Sequence, residues 1–406
     1  MEKKYELLAP VGDFPQLHAA INSGADAIYL GLKNLNMRSG GAKNFTISDL
    51  IKIRKICDDA KIKIYLTLNT IIYENELKEL EKIIKTISKN KLINAVICWD
   101  LSVINLCKKY KIPFHISTQA SISNSEALKF YAKLGAERVV LARELNLKQI
   151  KQISKTAEKL KVEIECFCHG AMCVSVSGRC FTSQFLHCLS ANRGQCAHPC
   201  RRAYTITDEE GNQLKLENNK VMSAKDLCTL PFIDKMKKAG IFVFKIEGRN
   251  RSPEYVSVVV KEYKKALNKK LTKQEVQNSL ENLEKVYNRG FSSGFYLKMP
   301  TADDFSASET GEQKEIKEYV GRIEKIYPKI NVALIKMHHG KLSINDEVYI
   351  IGKETGINRI KIESMEIENQ QVSQVKKTQE FGLKISQKVK IKKGDEVYLI
   401  REKNDK

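Results

Sequence analysis

Through the first two-thirds of the chain, short runs of continuous apolar residues alternate with longer stretches whose apolar positions recur at helical spacing. Eight short runs predict strands: Tyr5–Ala9, Ala27–Leu30, Lys63–Leu68, Ala95–Trp99, Pro113–Ser117, Arg138–Ala142, Val162–Phe167 and Phe242–Ile246. Between them, stretches such as Glu76 to Lys89 and Asn146 to Leu160 carry the period of amphipathic helices. Strands that are apolar throughout are buried on both faces, as in a parallel sheet covered by helices. Eight of them predict an α/β fold of the (β/α)8 TIM-barrel type. A repeated half-unit agrees: "NSGADAIYLG" from Asn22, "AKLGAERVVLA" from Ala132 and "KKAGIFVFKIEG" from Lys237 each read as a helix end, a Gly suited to a left-handed cap, then a buried strand. A doubly wound open sheet would produce the same echo.

Two intervals break the rhythm. Between Phe167 and Phe242 lies an insertion of roughly 70 residues, long enough to be a lid or a site of its own. Beyond residue 312, segments such as "YVGRIEKIYP", "NVALIKM", "DEVYIIG" and "DEVYLIR" are short, β-branched and separated by turn residues. They predict a small antiparallel β-barrel. The expected organisation is a barrel domain over 1–311, with a Cys-rich insertion at 168–230, and a C-terminal β-domain over 312–406.

With 42% hydrophobic and 29% charged residues, the composition is that of a globular protein. No apolar run approaches the roughly 20 residues needed to span a bilayer, and Met1 to Tyr5 lead into the first strand without a signal-peptide core. A cytoplasmic protein without membrane attachment is expected, its eleven cysteines being thiols. The net charge of +21 favours polyanions, although many lysines belong to solvated helix faces. The basic stretch from Lys384 to Lys393 is either a polyanion-binding face or a solvated edge. Arginine is more informative: Arg179, Arg193, Arg201, Arg202, Arg249 and Arg251 crowd one stretch of a Lys-dominated chain. That concentration suggests planar recognition of phosphate or carboxylate.

In a (β/α)8 barrel, chemistry sits at the C-terminal ends of the strands. Those ends carry Asn69, Asp100, Gln119, Arg143, Glu144, His169, Glu247 and Arg249. Strand ends are polar in any case because loops begin there, so each is a candidate only. The insertion carries the stronger signal: Cys166, Cys168, Cys173, Cys180, Cys188, Cys196 and Cys200 fall within 35 residues, followed by Cys228. Most of them sit among Gly, Ser, Asn and Arg, unlike cysteines packed as small hydrophobes. The pattern points to a metal centre. The six residues between Cys173 and Cys180 and the fifteen between Cys180 and Cys196 match no common zinc finger. Thiolates at irregular spacing fit an iron–sulfur cluster better than zinc. A lone nucleophilic Cys would leave the number of cysteines unexplained. There is no H-E-x-x-H or G-x-S-x-G motif. His169, directly after the seventh strand, is either catalytic, a support for the metal site, a helix cap, or part of the core.

The segments "ELLAPVGDFPQLHAAINSGADAIYLG", "HGAMCVSVSGRC", "NRGQCAHPCR", "AKDLC" and "FKIEGR", in that order, resemble the peptidase U-32 family over residues 5 to 300. The family contains collagenase-like proteases and oxygen-independent hydroxylation proteins with a 4Fe-4S cluster. Among the latter, the chain looks most like the members that form 5-hydroxyuridine at the tRNA wobble position with prephenate as the implicated hydroxyl source. The resemblance implies Cys173, Cys180, Cys196 and Cys228 as cluster ligands. Cys200 is an alternative, because some relatives use a C-x3-C pair. It further implies tRNA as partner, a small dicarboxylate co-substrate and an electron donor. Substrate handling would fall to His169, Arg143, Glu144, Glu247 and Arg249. The rival expectations are a collagenase-like peptidase and an RNA-binding protein with structural zinc.

Overall fold

The computed structural model describes residues 5–176, 179–215, 222–306, 308, 311–386 and 389–403. Residues 177–178 of the Cys173–Cys180 segment, 216–221 of the insertion and 387–388 of the basic stretch lie outside the described residues.

All eight expected strands form, as β1 (Glu6–Pro10), β2 (Ala27–Gly31), β3 (Lys63–Leu68), β4 (Ala95–Cys98), β5 (Phe114–Ile116), β6 (Arg138–Val140), β7 (Glu163–Gly170) and β8 (Val243–Ile246). Each pairs in parallel with its successor, and β8 pairs with both β7 and β1, which closes the ring. The alternative of an open sheet is thereby excluded. Helices α1 (Phe14–Asn22), α2 (Ile47–Asp59), α3 (Leu77–Lys89), α4 (Leu101–Lys109), α5 (Ser125–Lys133) and α6 (Leu147–Leu160) follow the first six strands. Short helices α7 (Thr182–His187) and α8 (Ile233–Lys238) lie between β7 and β8, and α9 (Pro253–Asn268) and α10 (Lys273–Lys285) follow β8.

Local chemistry sets these boundaries. Asp13, Thr46, Asp100, Asn124 and Asn146 cap α1, α2, α4, α5 and α6 by accepting a backbone N–H. The repeated glycines Gly24, Gly135 and Gly240 all have positive φ, as the repeat predicted. The remaining helix-to-strand turns use the same left-handed conformation with lysine: Lys61, Lys91, Lys111 and Lys161. The apolar faces of the strands and helices merge into one core that includes Leu7, Leu30, Leu66, Val96, Ile116 and Val259.

The C-terminal segment forms an eight-stranded antiparallel sheet built on a long central strand, Glu315–Tyr327, flanked by Val332–Met337 and Glu396–Glu402. It has its own core, including Ile323, Ile335, Val348, Phe381 and Val397. The sheet leans on the barrel through Gly356, which packs directly on His18 of α1, and through a 2.8 Å ion pair between Lys317 and Glu254. Among the described residues, no helix is long and apolar enough to cross a membrane.

Candidate active site at the barrel mouth

The C-terminal ends of the strands enclose a narrow cavity of about 50 Å³ lined by Tyr29, Arg38, Thr67, Asn69, Gln119, Arg143, Phe167, Lys245, Glu247 and Arg249, among others. Five of these were expected from the strand ends. Glu247 is the hub. Arg38 donates to its Oε1 at 2.5 Å, and Tyr29 OH and the Gly248 N–H each donate to its Oε2 at 3.0 Å. Burial alone would raise the Glu247 pKa, but Arg38, Arg143 and Arg249 outweigh it and hold the carboxyl well below the usual range. Arg249 is fully enclosed and donates to Thr67 Oγ1 at 3.0 Å and Asn36 Oδ1 at 2.9 Å. Burial lowers its pKa to about 10. The guanidinium packs so tightly on Gly31 that a Cβ there would collide with it, which is why β2 ends in glycine.

Arg143 lies 3.9 Å over the ring of Phe167 and donates to the Ala171 carbonyl at 3.1 Å. Its Nε is buried without a partner. The guanidinium thus stays a fixed cation at the cavity wall with an unmet donor. Lys245 forms the floor, 2.7 Å from Glu165 and 4.6 Å from the Tyr29 ring centroid; burial lowers its pKa.

Arg38, Lys245 and Tyr29 were not among the expected site residues. Lys245 carried a signal, since it is the one charge inside the apolar run "IFVFKI". Arg38 comes from the loop between β2 and α2, where periodicity is silent.

The insertion folds over this mouth. The Gly40 N–H donates to Gly194 O at 3.2 Å and Ser39 Oγ to Arg193 O at 2.8 Å. The crowded arginines largely perform this attachment. Arg179 donates to the Gln119 carbonyl at 3.0 Å, Arg201 to the Met172 carbonyl at 2.5 Å, and Arg193 pairs with Glu76. Four cysteines gather here. Burial chiefly raises the Cys200 thiol; Arg201 opposes this, and Cys173, Cys196 and Cys180 lie close enough to raise it further. Cys180 Sγ donates to Thr182 Oγ1 at 3.2 Å, and Ser183 Oγ donates to Cys196 Sγ at 3.9 Å. By donor type, these four would suit an all-thiolate centre. Among the described residues, however, no group of three or more His, Cys, Asp or Glu side chains converges as metal ligands do.

Cys228 was also expected in the ligand set. It lies on the short strand Asp226–Cys228, which runs antiparallel to His169 and Gly170. There it accepts from Tyr263 OH at 3.7 Å and lines a separate groove of about 710 Å³ beside α10. Burial pushes its thiol up to about 11. Cys166 and Cys168 are buried in β7, whereas Cys188 is exposed.

His169 is also turned away. Phe167 pairs with Lys245 but His169 pairs with Ile246, so Cys168 is a bulge. One extra residue flips the next side chain to the opposite face of a strand. His169 therefore packs outward against Tyr255, Tyr263 and Phe291, where burial lowers its pKa to about 3. Glu144 is exposed and lies outside the cavity lining; Asp100 caps α4.

Fold and site together define a closed (β/α)8 barrel with a cationic mouth beneath a cysteine-rich flap. The profile of peptidase family U32 matches residues 12–306, and the chain belongs to that family. It is 41% identical over 399 residues to a Porphyromonas gingivalis protein named collagenase, covering 95% of this chain and 96% of the relative. It is 33% identical over 363 residues to tRNA hydroxylation protein P1 of Bacillus subtilis, covering 87% and 84%. It is 34% identical over 264 residues to the Escherichia coli 23S rRNA 5-hydroxycytidine C2501 synthase, covering 65% of this chain and 39% of that one.

Proposed function

We propose that this protein is an RNA-modifying hydroxylase that forms 5-hydroxyuridine at the tRNA wobble position without molecular oxygen. The observation that carries the reading is a thiol-rich flap tied over a cationic mouth. Cys180 and Cys196 are both tied to the start of α7, through Thr182 and Ser183, and the flap that carries them with Cys173 and Cys200 is hydrogen-bonded over the mouth beside Arg38. Cys200 is taken as the fourth ligand of a 4Fe-4S cluster ahead of Cys228, whose sulfur accepts a hydrogen bond from Tyr263. A cluster held by four thiolates would supply electron transfer or a structural anchor.

The remaining roles fall to the chain's own side chains. Arg38, Arg143 and Arg249 face one carboxylate, Glu247, across the mouth, which leaves two positive charges in surplus. That surplus suits a small dicarboxylate such as prephenate. The cavity is too narrow for such a molecule as it stands, so the ligand binds above it, between Arg38 and the flap. Glu247 keeps Arg38 aimed at the mouth until the anion arrives. The target base must be unstacked to reach this depth, as RNA-modifying sites require. Relatives named for tRNA and rRNA hydroxylation support an RNA substrate.

The 41% relative named collagenase favours a second reading as a collagenase-like peptidase. The experiment that separates them compares tRNA nucleosides from a deletion strain complemented with wild type, Cys200→Ala or Cys228→Ala. The expected result is loss of 5-hydroxyuridine on deletion and its restoration by wild type but not by Cys200→Ala. Cys228→Ala should restore at least part. Unchanged nucleosides on deletion, with gelatin digested by the purified protein, would overturn the hydroxylase reading.

A further inference from the structure

Helix α7 presents to solvent the side chains that a helix normally buries. Ser183 is fully buried, and its hydroxyl accepts the Ala197 N–H at 3.1 Å. Phe185, in contrast, is 84% exposed, Leu186 is 56% exposed, and Phe181, just before the helix, is 62% exposed. An amphipathic surface helix has the opposite arrangement, and exposed apolar surface gathered in one place marks a contact site. The Phe181 and Phe185 rings lie 6.5 Å apart at 53°. They stand side by side rather than stacked, which leaves both faces open.

The surroundings select the partner. Phe181 directly follows Cys180 and lies two residues from Arg179. The Arg179 guanidinium sits 5.5 Å over the ring of Trp99, and Trp99 Nε1 donates at 3.1 Å to the carbonyl of Asn69, a residue of the cavity wall. Among the described residues, Arg179 has no carboxylate partner; its hydrogen bond runs to a carbonyl. At the same rim, half-exposed Tyr73 lies 4.6 Å beneath Arg193. Exposed rings interleaved with guanidinium groups, on a chain of net charge +21, complement a flexible polyanion with flat apolar faces. Single-stranded nucleic acid is that ligand.

We propose that Phe181 and Phe185 form a stacking platform for unstacked bases of a single-stranded RNA segment, with Arg179 at its edge, beside the barrel mouth. The inference rests on the RNA reading above and adds to it the surface that grips the nucleotides next to the target.

The test is fluorescence anisotropy of the full-length protein with a labelled single-stranded RNA of about ten nucleotides, roughly the span of one such groove. Wild type is compared with Phe181→Ala/Phe185→Ala, Phe185→Leu and Phe185→Trp at two salt concentrations. Thermal melting checks that each variant folds. Binding should weaken about 10- to 100-fold in the double variant, with the salt dependence unchanged, because stacking releases no counterions. Phe185→Leu should lose several-fold affinity and Phe185→Trp should keep it.

Wild-type affinity in the double variant, or in Phe185→Leu, would overturn the platform; the second outcome would point to an apolar patch for a protein partner. Either result leaves the RNA reading standing if wild type binds. Failure of wild type to bind any RNA would sink both.

Discussion

The two ends of the barrel interior are built from the same residue types and do opposite things. From the N-terminal end up to the floor of the mouth, Glu6, Glu163 and Glu165 meet Arg138, Lys63 and Lys245 in a network of ion pairs at 2.6 to 3.4 Å. Tyr65 OH donates to Glu6 at 3.0 Å, and Arg138 is only 2% exposed. Three carboxylates face three cations, so the buried charge closes on itself and no charge is left for a ligand. At the mouth, three arginines face Glu247 alone, and one of them keeps an unpartnered donor. Buried charge is therefore not by itself a sign of function; uncompensated buried charge is.

The comparison is open to attack from its strongest side first. Arg138→Met should destabilise the fold by about 3–5 kcal/mol, because it strands Glu6 and Glu165 without their shared cation. Urea unfolding measures this, and adding Glu6→Gln should recover part of the loss. A smaller change than about 1 kcal/mol would mean that the plug is not a closed network.

At the mouth the same kind of change should act on binding instead. Arg143→Gln is expected to alter unfolding by about 1 kcal/mol or less while weakening prephenate binding roughly 10- to 100-fold by calorimetry. If stability falls as far as in Arg138→Met, the two ends are alike and the contrast fails.

The smallest expected effect concerns pH. Burial would raise both Glu6 and Glu247, but Arg138 and Lys63 in one case, and Arg38, Arg143 and Arg249 in the other, lower them below their ordinary value. A depressed carboxylate pKa contributes stability that is present above the unfolded value of about 4.3 and is lost as pH falls through the folded value. Each group should therefore add up to about 1.4 kcal/mol per pH unit to the acid-side slope of unfolding. Glu6→Gln and Glu247→Gln should each flatten that slope below about pH 4.5, whereas only Glu247→Gln should also change prephenate affinity, by releasing Arg38.

The sequence by itself determined the barrel, the cysteine-rich insertion and the antiparallel C-terminal sheet. These follow from periodicity and from apolar runs, which are local patterns repeated many times. It also supplied much of the mouth, because Asn69, Gln119, Arg143, Glu247 and Arg249 sit where strand ends must converge once a barrel closes. It further marked the helix-to-strand turns at Gly24, Gly135 and Gly240, though not those at Lys61, Lys111 and Lys161, where the left-handed conformation is imposed on a residue that does not advertise it.

Only the tertiary structure decided the rest. The bulge at Cys168 turns His169 from the mouth to the helical layer, and a one-residue register shift leaves no trace in composition. Cys228 is fixed on a short strand that pairs antiparallel with His169 and Gly170 of β7, a placement that its sequence neighbours do not announce. Arg38 reaches Glu247 across 209 residues of chain. Such placements depend on how loops without periodicity are tied down, and that is settled by contacts between residues far apart in sequence.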